Sequence, residues 1–351
     1  MASEGSFTIP PEIITDILYR LPAKSLGRFR CVSKDWLSLI SEPQFIKIHQ
    51  NTHNRSHLIF VSNHHPLYSL PIHHHEAESP QEPTKIRFET DNTSIALHGS
   101  CNGLVLLITH HDFTSFQLVV LNPTTGEFLK SQNPVMKSRT DFLEIEIMYG
   151  LGYDSVTDDY KVVIVSYFHN HGIIPPDNMS VHVHSLRTKT WRRVTDSPYD
   201  HSYGMSLPGV FVNGFLHWIA KKSSDHLPVI VAFNLADENF SELPSPNFKI
   251  DCKLVALNGK LAVFMEDEVW LMNEYGVRES WTKILVLGIL PKIEPMSFNY
   301  NGKVLFVNHD QIYIYDIEER SFCKSGNVSR SLKDLKVKGS YIESLMSPNY
   351  R

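Results

Sequence analysis

Cysteine is scarce in this 351-residue chain, and the four present, Cys31, Cys101, Cys252 and Cys323, form no C-x-x-C pair. That spacing excludes a zinc ribbon, a thioredoxin-type redox pair and a disulfide-stapled scaffold, and suits reduced, mostly buried thiols. An excess of one charge is also missing. Lys and Arg number 33 against 38 Asp and Glu, a net of −5, so no global field favours nucleic acid or an anionic membrane. No apolar run approaches the ~18 residues of a membrane span. Glu4, Glu12 and Asp16 break up the start of the chain, so no signal peptide is expected and the place of work is expected to be cytoplasm or nucleus. A Gly-x-Ser-x-Gly elbow, a phosphate-cradling Gly-rich loop and a His-Glu-x-x-His helix are absent, so no catalytic residue and no cofactor is assigned. What remains is an ordinary globular composition, 42% hydrophobic and 20% charged, with room for a small module and one large domain or for two or three average domains.

The first 50 residues carry a helical pattern. Ile13, Ile14, Ile17, Leu18 and Leu21 recur at i, i+1, i+4, i+5 and i+8, one broad face of an α-helix. Thr8 or Pro10 can start it, Pro11 suits its first turn, Glu12 complements the helix dipole and Pro22 ends it. A second short helix holds Leu26, Phe29 and Val32, and Ser33 can cap a third holding Trp36, Leu37 and Ile40. Units below roughly 40 residues rarely fold alone. The surplus apolar face is therefore expected to meet another protein.

This stretch resembles the F-box of plant F-box proteins. The usual pattern opens on Leu-Pro-x-Glu, continues Ile-Leu-x-Arg-Leu-Pro-x-Lys-Ser-Leu and closes on Arg-Phe-Arg-Cys-Val-Ser-Lys-x-Trp. The chain matches at Pro10, Glu12, Ile17, Leu18, Arg20, Leu21, Pro22, Lys24, Ser25, Leu26, Arg28 through Lys34, and Trp36. It departs at Ile9, at Pro11 and at Gly27, where glycine should cost the second helix about 1 kcal/mol relative to alanine. The resemblance implies docking on the Skp adaptor of cullin–RING ubiquitin ligases, with cullin and RING subunits reached through that adaptor. The residues expected to make this contact are Pro10, Ile13, Ile17, Leu18, Leu21, Pro22, Leu26, Val32 and Trp36.

From about residue 57 the pattern becomes short β-branched and aromatic runs that repeat. One half of each unit is Asn-Gly followed by a strand, at Asn102-Gly103, Asn213-Gly214, Asn258-Gly259 and Asn301-Gly302, the signature of a type I′ hairpin turn. The other half is a strand, a polar turn and an aromatic residue. Four such aromatics, Trp191, Phe240, Trp281 and Phe322, are spaced by 49, 41 and 41 residues, the period of propeller blades. One unit opens instead on Tyr149-Gly150-Leu151-Gly152-Tyr153-Asp154. These repeats resemble the F-box-associated domain of the same plant family, a relative of Kelch propellers, although the Kelch Gly-Gly doublet is missing. The expected architecture is thus mainly β: a three-helix F-box over 1–50, then a Kelch-like β-propeller over 51–351, most simply six-bladed. Closure of the ring is expected from pairing of residues 341–345 with 57–61, because an open sheet edge is a liability.

With the strands of a blade lettered A to D from the axis outward, the B–C loops fall near 62–66, 109–116, 168–180, 221–228, 266–267 and 308–311. Eight of nineteen histidines lie in or beside them: His64, His65, His110, His111, His169, His171, His226 and His309. Surface loops take polar residues in any case, so the first reading is a solvated face and the second a contact surface for a target protein. The residues singled out for that contact are His110, His111, His169, His171, Ile173 and Ile174, the last two an apolar pair in the longest loop. No three ligands stand in a firm geometric relation, so no metal is assigned. His73-His74-His75 reads as part of a connector. The family resemblance then implies a non-catalytic substrate receptor of an SCF-type E3 ubiquitin ligase. The alternatives are a ligase-independent scaffold and a propeller lectin or enzyme.

Overall fold

The computed structural model describes residues 9–52, 55–62, 66–72, 82–90, 94–110, 116–132, 144–169, 179–201, 208–222, 224, 226–246, 252–265, 268–286, 294–296, 303–308, 311–325 and 335–350. Four helices lead: α1 (Pro11–Tyr19), α2 (Ala23–Phe29), α3 (Lys34–Ser41) and α4 (Pro43–Thr52). Three start as read. Pro10 and Pro22 present their carbonyls to the first turns of α1 and α2, and the Ser33 hydroxyl accepts from the Trp36 N–H at 3.1 Å. Thr8 lies outside the described residues. The fourth helix corrects the expectation of three. Phe45, Ile46 and His49 line one side of α4 and are buried, and His49 Nε2 donates to the Leu21 carbonyl at 2.7 Å. Gly27 sits within an intact α2.

The remainder is β. In chain order the strands are β1 (Ser56–Ser62), β2 (Leu67–Pro71) and β3 (Thr84–Lys85); β4 (Ser94–Cys101), β5 (Leu104–His110), β6 (Phe116–Leu121) and β7 (Phe128–Gln132); β8 (Glu144–Asp154), β9 (Asp159–His169), β10 (Met179–Ser185) and β11 (Thr190–Val194). Then come β12 (Tyr199–Asp200), β13 (Val210–Val212), β14 (Phe215–Lys222), β15 (Pro228–Asn234) and β16 (Phe240–Leu243); β17 (Cys252–Leu257), β18 (Lys260–Met265), β19 (Glu268–Met272) and β20 (Trp281–Val286). The last are β21 (Glu294–Met296), β22 (Lys303–Asn308), β23 (Gln311–Asp316) and β24 (Ser321–Ser325), and finally β25 (Leu335–Ile342). They form six antiparallel sheets, the expected six blades. The fourth blade has a divided A strand, since β12 and β13 both pair with β14.

Ring closure follows the expected pairing with a corrected range. β25 is the A strand of the first blade and pairs with β1 from Ser56↔Ile342 to Ser62↔Leu335. The strand therefore occupies 335–342, part of which reads from sequence as a polar linker, while 343–345 has left the sheet.

The core consists of layers between neighbouring blades. Leu104, Leu106 and Ile108 of β5 pack with Leu151, Val162 and Ile164 of the third blade. Val105 and Leu107 of the same strand point the other way, toward Ile59, Leu67 and Tyr341 of the first. Side chains alternate across a strand, so a blade pressed on both faces needs an unbroken apolar run at its centre. That is why these strands lack the clean polar/apolar alternation of a half-exposed sheet.

Turn chemistry repeats from blade to blade. Asn102, Asn213 and Asn258 have φ of 49°, 54° and 48°, each followed by a positive-φ glycine, as a type I′ A–B turn requires. Asn301-Gly302 lies outside the described residues. The C–D turns use a polar residue whose side chain caps the turn. Asn122 Oδ1 accepts from the Thr124 N–H, Asn234 Oδ1 from the Ala236 N–H, and Asp316 Oδ1 from the Glu318 N–H. Four residues on, Gly126, Glu238 and Arg320 take φ of 78°, 55° and 50°. The closing aromatics lie in the D strands, where Trp191 donates to Ser131 and Trp281 to the Pro244 carbonyl of the preceding blade.

Candidate partner-binding surfaces

The helical module has more apolar side chains than its interior holds. Leu18, Ala23, Leu26, Ile40, Phe45 and Ile46 fill the core, together with Leu345 from beyond the propeller. Ile13 and Ile17, one turn apart on α1, remain 51% and 48% exposed; Val32 is 63% exposed and Leu37 47%. Pro10 is exposed, and Leu21, Pro22 and Trp36 are half-buried, Trp36 leaning on Phe29 with ring centroids 5.4 Å apart. Two of the nine expected contact residues are misplaced by the sequence reading. Leu18 and Leu26 are 1% and 0% exposed and belong to the core, so no partner reaches them in this fold. A broad helical face does not reveal which of its edges is covered. Ile48 of α4, 40% exposed, is an apolar surface residue that the reading missed along with its helix.

Residues 343–350 strap this module to the propeller. The Arg30 guanidinium donates to the Leu345 carbonyl at 2.9 Å and pairs with Glu127 of the second blade's C–D turn at 3.3 Å. Burial lowers the Arg30 pKa and the Glu127 charge opposes that shift. The Lys24 N–H donates to Glu343, and Glu343 donates its own N–H to the Arg55 carbonyl. Further along, Asn122 Nδ2 donates to the carbonyls of Ser344 and Met346 at 2.9 and 2.7 Å. Ser347 bonds Glu127, and the Tyr350 hydroxyl donates to Asp159 at 2.6 Å while accepting the Tyr160 N–H at 2.7 Å. The contacts on the propeller side come from C–D and A–B turns. The module therefore sits on the face bearing those turns, and the B–C connections emerge from the opposite face.

Of the six residues singled out on that far face, His110 is the one whose side chain is described. It ends β5, is half-buried, and lies 5.7 Å from the Phe116 ring across the connection. His169 ends β9 opposite Glu144. His111, His171, Ile173 and Ile174 lie outside the described residues, as do His64, His65, His309 and His73-His74-His75. His226 is exposed with φ of 57°. Other histidines are structural. His217 is buried with Nδ1 on the Val210 carbonyl and Nε2 on the Tyr275 hydroxyl, and burial pushes its pKa down to about 4. His201, held by Ser197 at 2.7 Å, is pushed down to about 3 for the same reason. Among the described residues no cluster of three His, Cys, Asp or Glu could hold a metal ion. Cys101 and Cys252 are buried and Cys31 is exposed.

The joint between the third and fourth blades holds a buried cation. Lys161 Nζ lies 2.9 Å from Asp154 and 3.0 Å from Glu238, and donates to the Leu235 carbonyl at 2.6 Å. Burial alone would raise the Asp154 pKa, but hydrogen bonds from Thr157, Lys161 and the Val156 N–H hold it below the usual carboxylate range. Every neighbour of this ammonium belongs to the blade joint, and it reads as a structural tie.

Comparison with known proteins matches both parts. Residues 7–48 match the F-box domain, and residues 56–319 match the F-box associated beta propeller domain. The chain belongs to the plant F-box/propeller proteins. An F-box/kelch-repeat protein of Arabidopsis thaliana is 30% identical over 97% of this chain and 96% of its own length. The F-box protein CPR1 of the same plant is also 30% identical, over 89% of this chain and 83% of its own. As an F-box/propeller protein the chain is of the substrate-adaptor type, and its F-box implies binding to a Skp adaptor. Members of this family are typically adaptors rather than enzymes. No helix among the described residues is long and apolar enough to cross a membrane.

Proposed function

We propose that this F-box/propeller protein is the substrate-recognition subunit of an SCF-type E3 ubiquitin ligase. The F-box binds the Skp adaptor, which brings cullin and RING subunits, and the propeller holds a target protein for ubiquitination and proteasomal degradation. The observation that carries this reading is the exposed apolar set Pro10, Ile13, Ile17 and Val32 over a core that is already full. Apolar side chains in such numbers on so small a module need a partner to cover them. The strap supports the second half of the reading. It fixes the F-box to the A–B/C–D face and so leaves the B–C face free for the target, with the two docking events on opposite sides. Ubiquitin transfer then needs no catalytic group in this chain. Holding a target lysine near the charged E2 raises its effective concentration, which is a proximity mechanism.

The test is recovery of partners with and without proteasome inhibition. The full chain should bring down the adaptor and cullin under both conditions, together with proteins that accumulate only when the proteasome is blocked. Recovery of adaptor without cullin would favour a ligase-independent scaffold and contradict the proposal.

A further inference from the structure

Ser347 stands at the joint between the F-box and the propeller and is followed by Pro348, the pair that proline-directed protein kinases select. Its hydroxyl donates to Glu127 Oε2, while Glu127 Oε1 accepts from Arg30 Nη1 at 3.3 Å. One carboxylate of the second blade thus holds both a guanidinium of the F-box and a hydroxyl of the strap. Ser347 and Glu127 are partly exposed, and from 343 to 350 the strap is neither helix nor strand. Around Ser347 it is tied by single side chains: Asn122 on the Met346 carbonyl, Asn349 Nδ2 on the Phe128 carbonyl, Tyr350 on Asp159. Segments secured in this way open locally more readily than the sheets beside them, and an opened strap is the extended substrate a kinase takes.

The chain has three other Ser-Pro pairs, at Ser79, Ser197 and Ser245. Ser79 lies outside the described residues. Ser197 is buried with its hydroxyl on His201 at 2.7 Å. Ser245 follows β16 in a D–A connection, on the face away from the F-box. Among the described ones, Ser347 is the serine whose hydroxyl rests on a carboxylate tying two parts of the chain together.

A phosphate at this position would turn that tie into a repulsion. Phosphoserine carries about −1.5 to −2 charges at pH 7. Its ester oxygen has no hydrogen to give Glu127, so the new anion is set against the carboxylate. Arg30 is poorly placed to balance both. Its Nη2 is committed to the carbonyls of Ile40 and Leu345 at 3.4 and 2.9 Å, and its Nε is sealed in the module. Only the Nη1 edge faces the joint, one half of a guanidinium against a carboxylate and a phosphate.

We propose that Ser347 is a phosphorylation site of a proline-directed Ser/Thr kinase, and that phosphate there releases the strap from the Glu127 turn and loosens the F-box on the propeller. The kinase transfers the γ-phosphoryl group of ATP: the Ser347 Oγ–P bond forms, the β–γ anhydride bond breaks, ADP leaves and the hydroxyl proton passes to solvent. The switch acts on the joint itself, whichever partner the F-box meets.

The test treats the full chain with a mitogen-activated protein kinase and ATP, maps phosphate by mass spectrometry and follows amide hydrogen exchange. Phosphate should appear on Ser347, and the strap amides of 344–350 should then exchange at least about tenfold faster, as like-charge disruption predicts. Phosphatase should restore the slow exchange. Ser347→Ala, treated alike, should show no acceleration, which separates this site from the other Ser-Pro pairs. Glu127→Gln, whose strap remains tied by Asn122, Asn349 and Tyr350, removes the opposing charge and offers the phosphate a donor. Phosphorylation of that variant should speed strap exchange less than about threefold. Absence of phosphate on Ser347 of the full chain would overturn the proposal. So would exchange that is unchanged or slowed by the phosphate, or an equal acceleration in Ser347→Ala or Glu127→Gln.

Discussion

Asn122→Asp is an almost isosteric change that should loosen the strap between the F-box and the propeller. Asn122 is fully buried, and its side chain is used at both ends. Oδ1 accepts from the N–H groups of Thr124 and Thr125, which an aspartate oxygen can continue to do. Nδ2 donates to the carbonyls of Ser344 and Met346 at 2.9 and 2.7 Å. Replacing that NH₂ by oxygen sets a carboxylate against two carbonyl oxygens. One escape is protonation, which restores a single donor. From a reference pKa near 3.9, that costs about 4 kcal/mol at pH 7, with about 1 kcal/mol more for the second lost bond. The other escape is detachment of the strap, which forfeits burial of Leu345, worth about 2–3 kcal/mol, and its hydrogen bond from Arg30. Either route predicts a loss of about 3–5 kcal/mol at pH 7. The aspartic acid would be favoured protonated in the native state, so its folded pKa lies above the unfolded one and the deficit shrinks as pH falls toward 4. Asn122→Ala removes the same bonds without the charge, so its deficit should not depend on pH. Urea denaturation of the three proteins at pH 7 and pH 4.5, read as differences from wild type, measures this. A loss below 1 kcal/mol, or one equal at both pH values, would refute the reasoning.

Deleting residues 335–351 removes β25 from β1, exposing the edge beside Leu58, Ile59, Phe60 and Val61, and takes Leu345 from the F-box core. The propeller should lose its cooperative unfolding and yield to brief proteolysis, and a melting curve matching the intact chain would contradict this. Gly27→Ala should stabilise the F-box by about 1 kcal/mol, because a Cβ there meets open space within an α-helix; an unchanged or lower urea midpoint would show otherwise. Burial pushes His98, His184 and His217 down to about 4 and His201 to about 3. Between pH 6.5 and 4 the unfolded chain binds protons that the native one refuses, so stability is full above 6.5 and falls as pH drops. Each histidine contributes up to about 1.4 kcal/mol per pH unit, and a flat urea midpoint from pH 7.5 to 5 would sink this.

Much of the fold is legible because its punctuation is local. Asn-Gly pairs at 102, 213 and 258 need no tertiary help to take positive φ, and the aromatic period marks four of the six blades. Helix starts at Pro10, Pro22 and Ser33 are equally local. What escapes the sequence depends on distant partners. Lys336, Lys338 and Gly339 make 335–339 look like linker, and only β1 across the sheet turns these residues into strand. The F-box contact set is legible in type but not in side: Ile17 and Leu18 are neighbours on one amphipathic face, yet one is 48% exposed and the other 1%. Leu345 decides part of that difference from more than three hundred residues away. Histidines mislead in the loops because composition cannot separate a solvated imidazole from His201 or His217, which are buried in the fourth blade.

The central claim is that the exposed apolar residues of α1 dock the Skp adaptor. The direct measurement is the affinity of a purified Skp-type adaptor for the full chain and for Ile13→Asp/Ile17→Asp, with melting temperatures compared in parallel. Both side chains are about half exposed, so the double variant should melt with the wild type. Two anchors, each typically worth 2 kcal/mol or more when truncated, predict adaptor affinity reduced at least about a thousandfold. Undiminished binding by a folded double variant would contradict the account.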